Sequence, residues 1–310
     1  MNARSLLSIQ DLSAKDIDEI LNLADTLKRE QKTGKAREIL HGKTLGMLFA
    51  KPSTRTRVSF ETGMTQLGGH AIYLGFNDLQ LGQGETIADT ARTLSRYVDL
   101  IMARLFKHQD AVELAKYSSV PVINGLTDMH HPCQTLADLM TIREHTGKLK
   151  GLNVAWVGDG NNVCNSLMLG CSIVGADFHA ACPEGYQPPT EITNQAKKNA
   201  AESGAKIEIQ AEPSKAVSEA DVIYTDVWTS MGQEEETKKR MEIFKKYQLN
   251  ADLVKKAKNS VIVMHCLPAH RGLEITDEVV DGPHSVVWDQ AENRMHAQKA
   301  LMVALIESSI

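Results

Sequence analysis

The chain has 310 residues, 42% hydrophobic and 24% charged, with a formal net charge of −5. That is the composition of a soluble globular protein, long enough for two domains with a core each. The acidic balance gives no reason to expect nucleic acid or a membrane surface as partner, and no apolar run approaches the roughly 20 residues that span a bilayer.

The N-terminus, Met1-Asn2-Ala3-Arg4-Ser5, lacks the apolar core of a signal peptide. Ser13-Ala14-Lys15-Asp16 reads as a capping box with Asp in place of Glu, followed by the stripe Ile17, Ile20, Leu21, Ala24 and Leu27. The apolar run 45–50 reads as a buried parallel strand. A helical pattern with Phe60, Met64 and Leu67 on one face comes after it. Between them lies Lys51-Pro52-Ser53-Thr54-Arg55-Thr56-Arg57. A helix start leaves backbone N–H groups without internal partners at the positive end of the helix dipole, which suits an oxyanion. The plainer alternative is that Ser53 only caps the helix and the arginines are solvated.

Gly68-Gly69 stops that helix, and 71–74 is a short strand. The loop 75–84 is rich in glycine, asparagine and glutamine. Thr86 starts a helix that leads to Tyr97, strand 100–103 ends at Arg104, and a helix covers about 109–117. Strand 120–123 is broken by Asn124-Gly125. His131-Pro132-Cys133-Gln134 opens a long helix that Gly147 ends. Strand and helix alternate throughout, which argues for a parallel sheet with helices on both faces.

The alternation starts afresh after 148–151. Strands are expected at 154–157, 178–181, 207–209, 222–225, 261–264 and 286–288, giving a second doubly wound unit. The segment 233–240 reads as an exposed loop or a short helix. From about Asn293, the stripe Leu301, Met302, Leu305 and Ile306 marks a terminal helix that packs back on the first domain. The expected fold is α/β: two doubly wound parallel-sheet domains with a cleft between them, 1–148 plus 293–310 and 149–292. The five cysteines are odd in number and lack metal-ligand spacing, so they read as free thiols in a reducing cytoplasm.

Ligands of open α/β sheets bind beyond the carboxyl ends of the strands. The first domain places there Ser53, Thr54, Arg55 and Thr56, then Arg104, then His131 and Gln134. The second places Asn161 and Asn162, Asp226 with Ser230 and Met231, and His265-Cys266-Leu267-Pro268, with Arg294 after the last strand. Hydroxyls, guanidinium groups and an imidazole suit a phosphate and a polar carbonyl. Amides and a carboxylate suit an amine or a zwitterion. Each residue also has a structural alternative: Arg104 as a surface charge, His131 in a turn, Asp226 as an N-cap, Cys266 in the core. Gly158-Asp159-Gly160 begins like a dinucleotide fingerprint, but its third glycine position is Val163.

Ser53-Thr54-Arg55-Thr56-Arg57, His131-Pro132-Cys133-Gln134 and His265-Cys266-Leu267-Pro268 together resemble the aspartate/ornithine carbamoyltransferase family. Asp226 followed by Ser230-Met231-Gly232 is similar to its ornithine branch. The resemblance runs over essentially the whole chain. It implies carbamoyl transfer from carbamoyl phosphate to ornithine without metal or organic cofactor, in a homotrimer or a multiple of trimers with shared active sites. Mapped residue by residue, it implies that Ser53, Thr54, Arg55 and Thr56 hold the phosphate. Arg104, His131, Pro132, Cys133 and Gln134 hold the carbamoyl end, Gln80 reaches in from the adjacent subunit, and Asn162, Asp226, Ser230 and Met231 bind ornithine. Cys266 and Leu267 face the reacting centre and Arg294 closes the site, with Arg104, His131 and Cys266 in catalytic roles. Putrescine or aspartate as acceptor is the alternative within the family, and an NAD-dependent oxidoreductase is the alternative outside it.

Overall fold

The computed structural model describes residues 3–75, 84–229 and 237–308. The chain divides into two compact units, Met1–Met140 with Glu292–Ile310, and Thr141–Ala291.

In the first unit α1 (Ala14–Lys32) begins at the expected capping box: Ser13 Oγ accepts from the Asp16 N–H at 3.1 Å, and the Asp16 carboxylate accepts from the Ser13 N–H at 3.0 Å. Then come β1 (Thr44–Phe49), α2 (Thr54–Gln66), β2 (His70–Gly75), α3 (Ile87–Leu94), β3 (Leu100–Arg104), α4 (His108–Tyr117), β4 (Val122–Leu126) and α5 (Pro132–Thr146). The strands are parallel and ordered β2-β1-β3-β4. Leu48, Ile101, Ala103 and Val122 bury their side chains against α3 and α4 through Ala91 and Leu114.

One expectation fails in β4. Asn124-Gly125 does not break the strand. It makes a bulge inside it: Ala103 pairs with Asn124, but Arg104 pairs with Leu126. Asn124 donates to the Leu7 carbonyl at 2.8 Å, and a Cβ at Gly125 would lie 2.5 Å from Met102 Sδ, so any larger residue there would push that side chain aside. A bulge re-aims the strand beside it, here at Arg104.

The second unit contains β5 (Asn153–Val157), α6 (Asn162–Val174), β6 (Asp177–Ala181), α7 (Thr190–Ser203), β7 (Ile207–Gln210), α8 (Pro213–Val217), β8 (Val222–Thr225), α9 (Thr237–Phe244), α10 (Ala251–Val254), β9 (Ile262–His265) and α11 (Asp277–Val280). Its parallel order is β7-β6-β5-β8-β9. Trp156 of β5 stacks on Tyr224 of β8 with ring centroids 5.1 Å apart. Such a pair adds about 0.5–1.5 kcal/mol to the burial itself.

The strand expected at 286–288 is not formed. Ser285 makes a single bridge to Val263, and α12 (Val287–Glu307) begins at the next residue but one. A short apolar run fits either period, and here Val286, Val287 and Gln290 are buried while Trp288 and Asp289 are exposed, the spacing of a helix rather than a strand. Arg294 therefore sits within a helix rather than after a strand. The later part of α12 belongs to the first unit: a Cβ added at Gly63 of α2 would meet Lys299 Cγ at 3.1 Å, and Lys28 Nζ donates to Asn293 Oδ1 at 2.8 Å. Among the described residues no helix is long and apolar enough to cross a membrane.

The Gly158-Asp159-Gly160 stretch has a packing explanation. Gly158 has φ +137°, and a Cβ on Gly160 would lie 2.2 Å from the Pro188 nitrogen. The Gly160 N–H donates to the Tyr186 carbonyl at 2.8 Å, so the loop cannot move away. The space a dinucleotide pyrophosphate would approach is taken by chain. Gly160→Ala is expected to destabilise the fold by about 1–3 kcal/mol through overpacking, read as a lower denaturant midpoint; an unchanged midpoint would show that the 187–188 segment yields freely.

Candidate functional site

Each unit gathers polar side chains at the carboxyl ends of its strands. In the first unit Ser53 caps α2: it is extended (φ −162°, ψ 114°), and its Oγ accepts from the Thr56 N–H at 3.3 Å. Thr56 is buried, whereas Thr54 is exposed and Arg55 half-buried. Arg57 turns away, pairing with Glu61 at 3.0 Å and lying 3.9 Å from the Tyr73 ring centroid. Cap and anion site are thus compatible uses of one helix end.

His131 lies beyond β4 at the start of α5 and is 5% exposed. Burial first, then the charges of Arg294, Arg104, Lys51 and Arg55, hold its pKa well below the ordinary histidine value. The imidazole is neutral at pH 7, a hydrogen-bonding group among four cations. Gln134 is held at both ends of its amide. Its Nε2 donates to Asp138 at 2.8 Å, and its Oε1 accepts from Arg294, whose Nη1 lies 3.4 Å from His131 Nε2. Arg104 and Arg294 are buried at 6% and 4% exposure. Buried guanidinium groups converging on a helix N-terminus favour a phosphate-like ligand. Cys133 is different. Its Sγ donates to the Asn124 carbonyl at 3.5 Å, and burial pushes the thiol up to about 12, so its side chain packs and does not react.

In the second unit Asn161 caps α6, its Oδ1 accepting from the N–H groups of Val163 and Cys164 at 2.9 and 3.1 Å. Its Nδ2 donates to Asp226 Oδ2 at 2.8 Å. Asp226 Oδ1 accepts from Cys266 Sγ at 3.0 Å. One carboxylate therefore joins residues that come after β5, β8 and β9. Behind Cys266, the Leu267 N–H donates to His265 Nδ1 at 2.8 Å, which places the ring proton on Nε2, 3.2 Å from Glu274 Oε1. Both His265 and Glu274 are fully buried. Leu267 has φ +57°, a left-handed conformation that costs a branched residue free energy, and the His265 bond offsets it.

Ligand atoms of Asp226, His265 and Cys266 lie within 4.8 Å of one another. A metal there would have to displace one of the two hydrogen bonds that hold His265, so the cluster reads as a hydrogen-bond network. Asn162 is half-buried beside Asn161. Gln80, Ser230 and Met231 lie outside the described residues.

The sequence reading missed Lys51, Glu274 and the buried Arg240–Asp159 ion pair, and it did not separate Asn161 from Asn162. Lys51 lies 4.9 Å from the Phe106 ring centroid; burial first and Arg104 second lower its pKa, against Asp128. Its place beside the hydroxyl-arginine run was the available signal. Of Asn161 and Asn162, Asn161 is the residue that caps α6 and holds Asp226, and its place directly after a strand and before an apolar run is the signal. Glu274 and the Arg240–Asp159 ion pair carry no local sequence signal.

A neutral imidazole among cations in one unit and a carboxylate–thiol pair in the other are dissimilar polar sets, of the kind a group-transfer enzyme with two polar substrates needs. Comparison with known proteins makes this specific. The family model described as aspartate/ornithine carbamoyltransferase, carbamoyl-P binding domain, matches residues 4–144, and the Asp/Orn binding domain of the same family matches residues 150–305. The chain belongs to the aspartate/ornithine carbamoyltransferase family. It is 59% identical over 306 residues to the ornithine carbamoyltransferase of Pyrococcus horikoshii, covering 99% of this chain and 96% of that one. The solved ornithine carbamoyltransferase from Pyrococcus furiosus superposes with a TM-score of 0.96 at 59% identity, covering 99% of this chain and 98% of that one. The anabolic enzyme from Campylobacter jejuni superposes with a TM-score of 0.93 at 39% identity, covering 98% and 99%.

The buried histidines set a pH dependence. His130, beside His131, has its pKa pulled down to about 4, by burial first and by His108 second. An unfolded histidine titrates near about 6.5. Below that pH the unfolded chain binds a proton that the folded chain refuses until about pH 4, so stability falls as pH drops through this window. His130→Asn is expected to flatten the fall by up to about 1.4 kcal/mol per pH unit, measured by denaturant unfolding from pH 7 to 4.5; parallel curves would refute it.

Proposed function

We propose that this chain transfers the carbamoyl group of carbamoyl phosphate to the δ-amine of L-ornithine, giving L-citrulline and phosphate in arginine biosynthesis. The observation that carries the reading is the full-length match to ornithine carbamoyltransferases. The chemistry of the two half-sites supports it.

In this reading Ser53, Thr54, Arg55 and Thr56 hold the phosphate at the N-terminus of α2. Arg104, His131, Pro132, Cys133, Gln134 and Arg294 surround the carbamoyl end, Cys133 through its backbone. The amine lone pair forms a C–N bond to the carbonyl carbon, and the π pair moves onto oxygen. That oxygen meets donors rather than a general acid: Arg104, Thr56 and the neutral His131, whose N–H polarises without giving up a proton. A donor of this kind stabilises a tetrahedral oxyanion by roughly 2.7–4 kcal/mol. Collapse breaks the bond from carbon to the bridging oxygen, and phosphate leaves with the electron pair. The proton shed by nitrogen goes to a base, for which the departing phosphate suffices.

The attacking amine must be neutral, although an alkyl amine has a pKa near about 10.4 in water. A carboxylate favours the charged form, so Asp226 orients the amine rather than deprotonating it. Asn162, Ser230 and Met231 complete the acceptor set, and Cys266 and Leu267 present a thiol and a carbonyl to the reacting atoms. We further propose a cytoplasmic homotrimer, or a multiple of trimers, with Gln80 supplied by the neighbouring subunit.

With carbamoyl phosphate and a panel of amines, carbamoylation of ornithine is expected to exceed that of putrescine and aspartate by orders of magnitude; a better rate with either would overturn the acceptor assignment. Arg55→Ala removes a charge-assisted contact worth about 1.5–3 kcal/mol and should raise KM for carbamoyl phosphate roughly 10- to 100-fold. Circular dichroism should stay unchanged, and wild-type kinetics would remove Arg55 from the phosphate site.

A further inference from the structure

Arg240 belongs to α9, is 3% exposed, and has no place in the reaction above. Its Nε donates to the Trp228 carbonyl at 2.6 Å, and its Nη2 forms an ion pair with Asp159, itself 8% exposed. The guanidinium lies 4.7 Å from the Tyr186 ring centroid and 5.2 Å from that of Phe244. Burying such a pair costs desolvation, so it is weak evidence for stability as such.

Its partners show another use. Asp159 lies two residues before Asn161, which donates to Asp226, and the Asp159 carbonyl is fixed by Trp156 Nε1 at 3.0 Å. Trp228 lies two residues after Asp226. One guanidinium thus binds the loop that delivers Asn161 and the segment that leaves Asp226. These are the two pieces of chain whose spacing fixes the 2.8 Å Asn161–Asp226 bond. Only a planar fork can serve a carbonyl, a carboxylate and two ring faces together; an ammonium offers one point charge.

We propose that Arg240 and Asp159 form a positioning pair for the acceptor half-site, setting the orientation of Asp226 without touching substrate. This rests on the carbamoyl-transfer reading, and the pair acts on the acceptor step alone. Misplacing a positioning carboxylate by about an ångström costs up to about a hundredfold.

The experiment compares wild type, Arg240→Lys, Asp159→Asn and the double variant Arg240→Met with Asp159→Asn. KM for acceptor, kcat, the dissociation constant for carbamoyl phosphate and thermal midpoint are read for each. Arg240→Lys should raise KM for acceptor about ten- to a hundredfold and leave carbamoyl phosphate binding within twofold. Asp159→Asn should do the same, and the double variant, which leaves no uncompensated buried charge and so should fold, should be no worse than the worse single. Unchanged acceptor KM in folded variants would overturn the proposal, as would equal loss of both substrates or additive losses in the double. The wild-type acceptor panel judges the functional reading separately, and whichever amine it selects is the one whose KM is read here.

Discussion

A single carboxylate organises the second unit. Asp226 accepts from Asn161 on one oxygen and from Cys266 on the other. The three residues come after β5, β8 and β9, which are neighbours in the sheet. Parallel strands deliver their carboxyl ends to the same edge, so adjacency in the sheet becomes adjacency of side chains. Removing the carboxylate would orphan an amide and release a thiol at once. The capping geometry of α6 and the left-handed turn at Leu267 both bring partners to this one group.

The first unit solves a different problem, how to keep several cations together in one place. Arg55, Arg104, Arg294 and Lys51 all lower the pKa of His131, so none is screened from it. Four positive groups around a buried imidazole repel one another. They are tolerated because each is fixed by its own element: the first turn of α2, the end of β3 opposite the β4 bulge, the chain entering α2, and α12. In the proposed reading a dianionic phosphate would offset that repulsion.

Local chemistry was legible in the sequence and long-range chemistry was not. The capping box at Ser13, the cap at Ser53 and the strands at 45–50 and 222–225 obey rules that act within four residues. Two local errors share a cause. At Val286-Val287-Trp288 and at Asn124-Gly125, a short run fits two conformations, and tertiary contacts decide. The polar residues just past each strand were legible as neighbours because a parallel sheet gathers them at one edge. Arg240 and Asp159, 81 positions apart, were not, because nothing near either residue announces the other. Glu274 escaped for the same reason: a buried glutamate has meaning only once His265 stands in front of it.

The distribution of thiols has a consequence for chemical modification. Cys133, Cys164, Cys171 and Cys182 are buried, and Cys266 alone is partly open to solvent. An alkylating reagent that samples the native molecule meets one sulfur, and that sulfur is hydrogen-bonded to Asp226. The protein thus carries one addressable atom beside the Asn161–Asp226–Cys266 hydrogen-bond network. A fluorophore attached there would report on the surroundings of Asp226, with no cysteine to be added or removed.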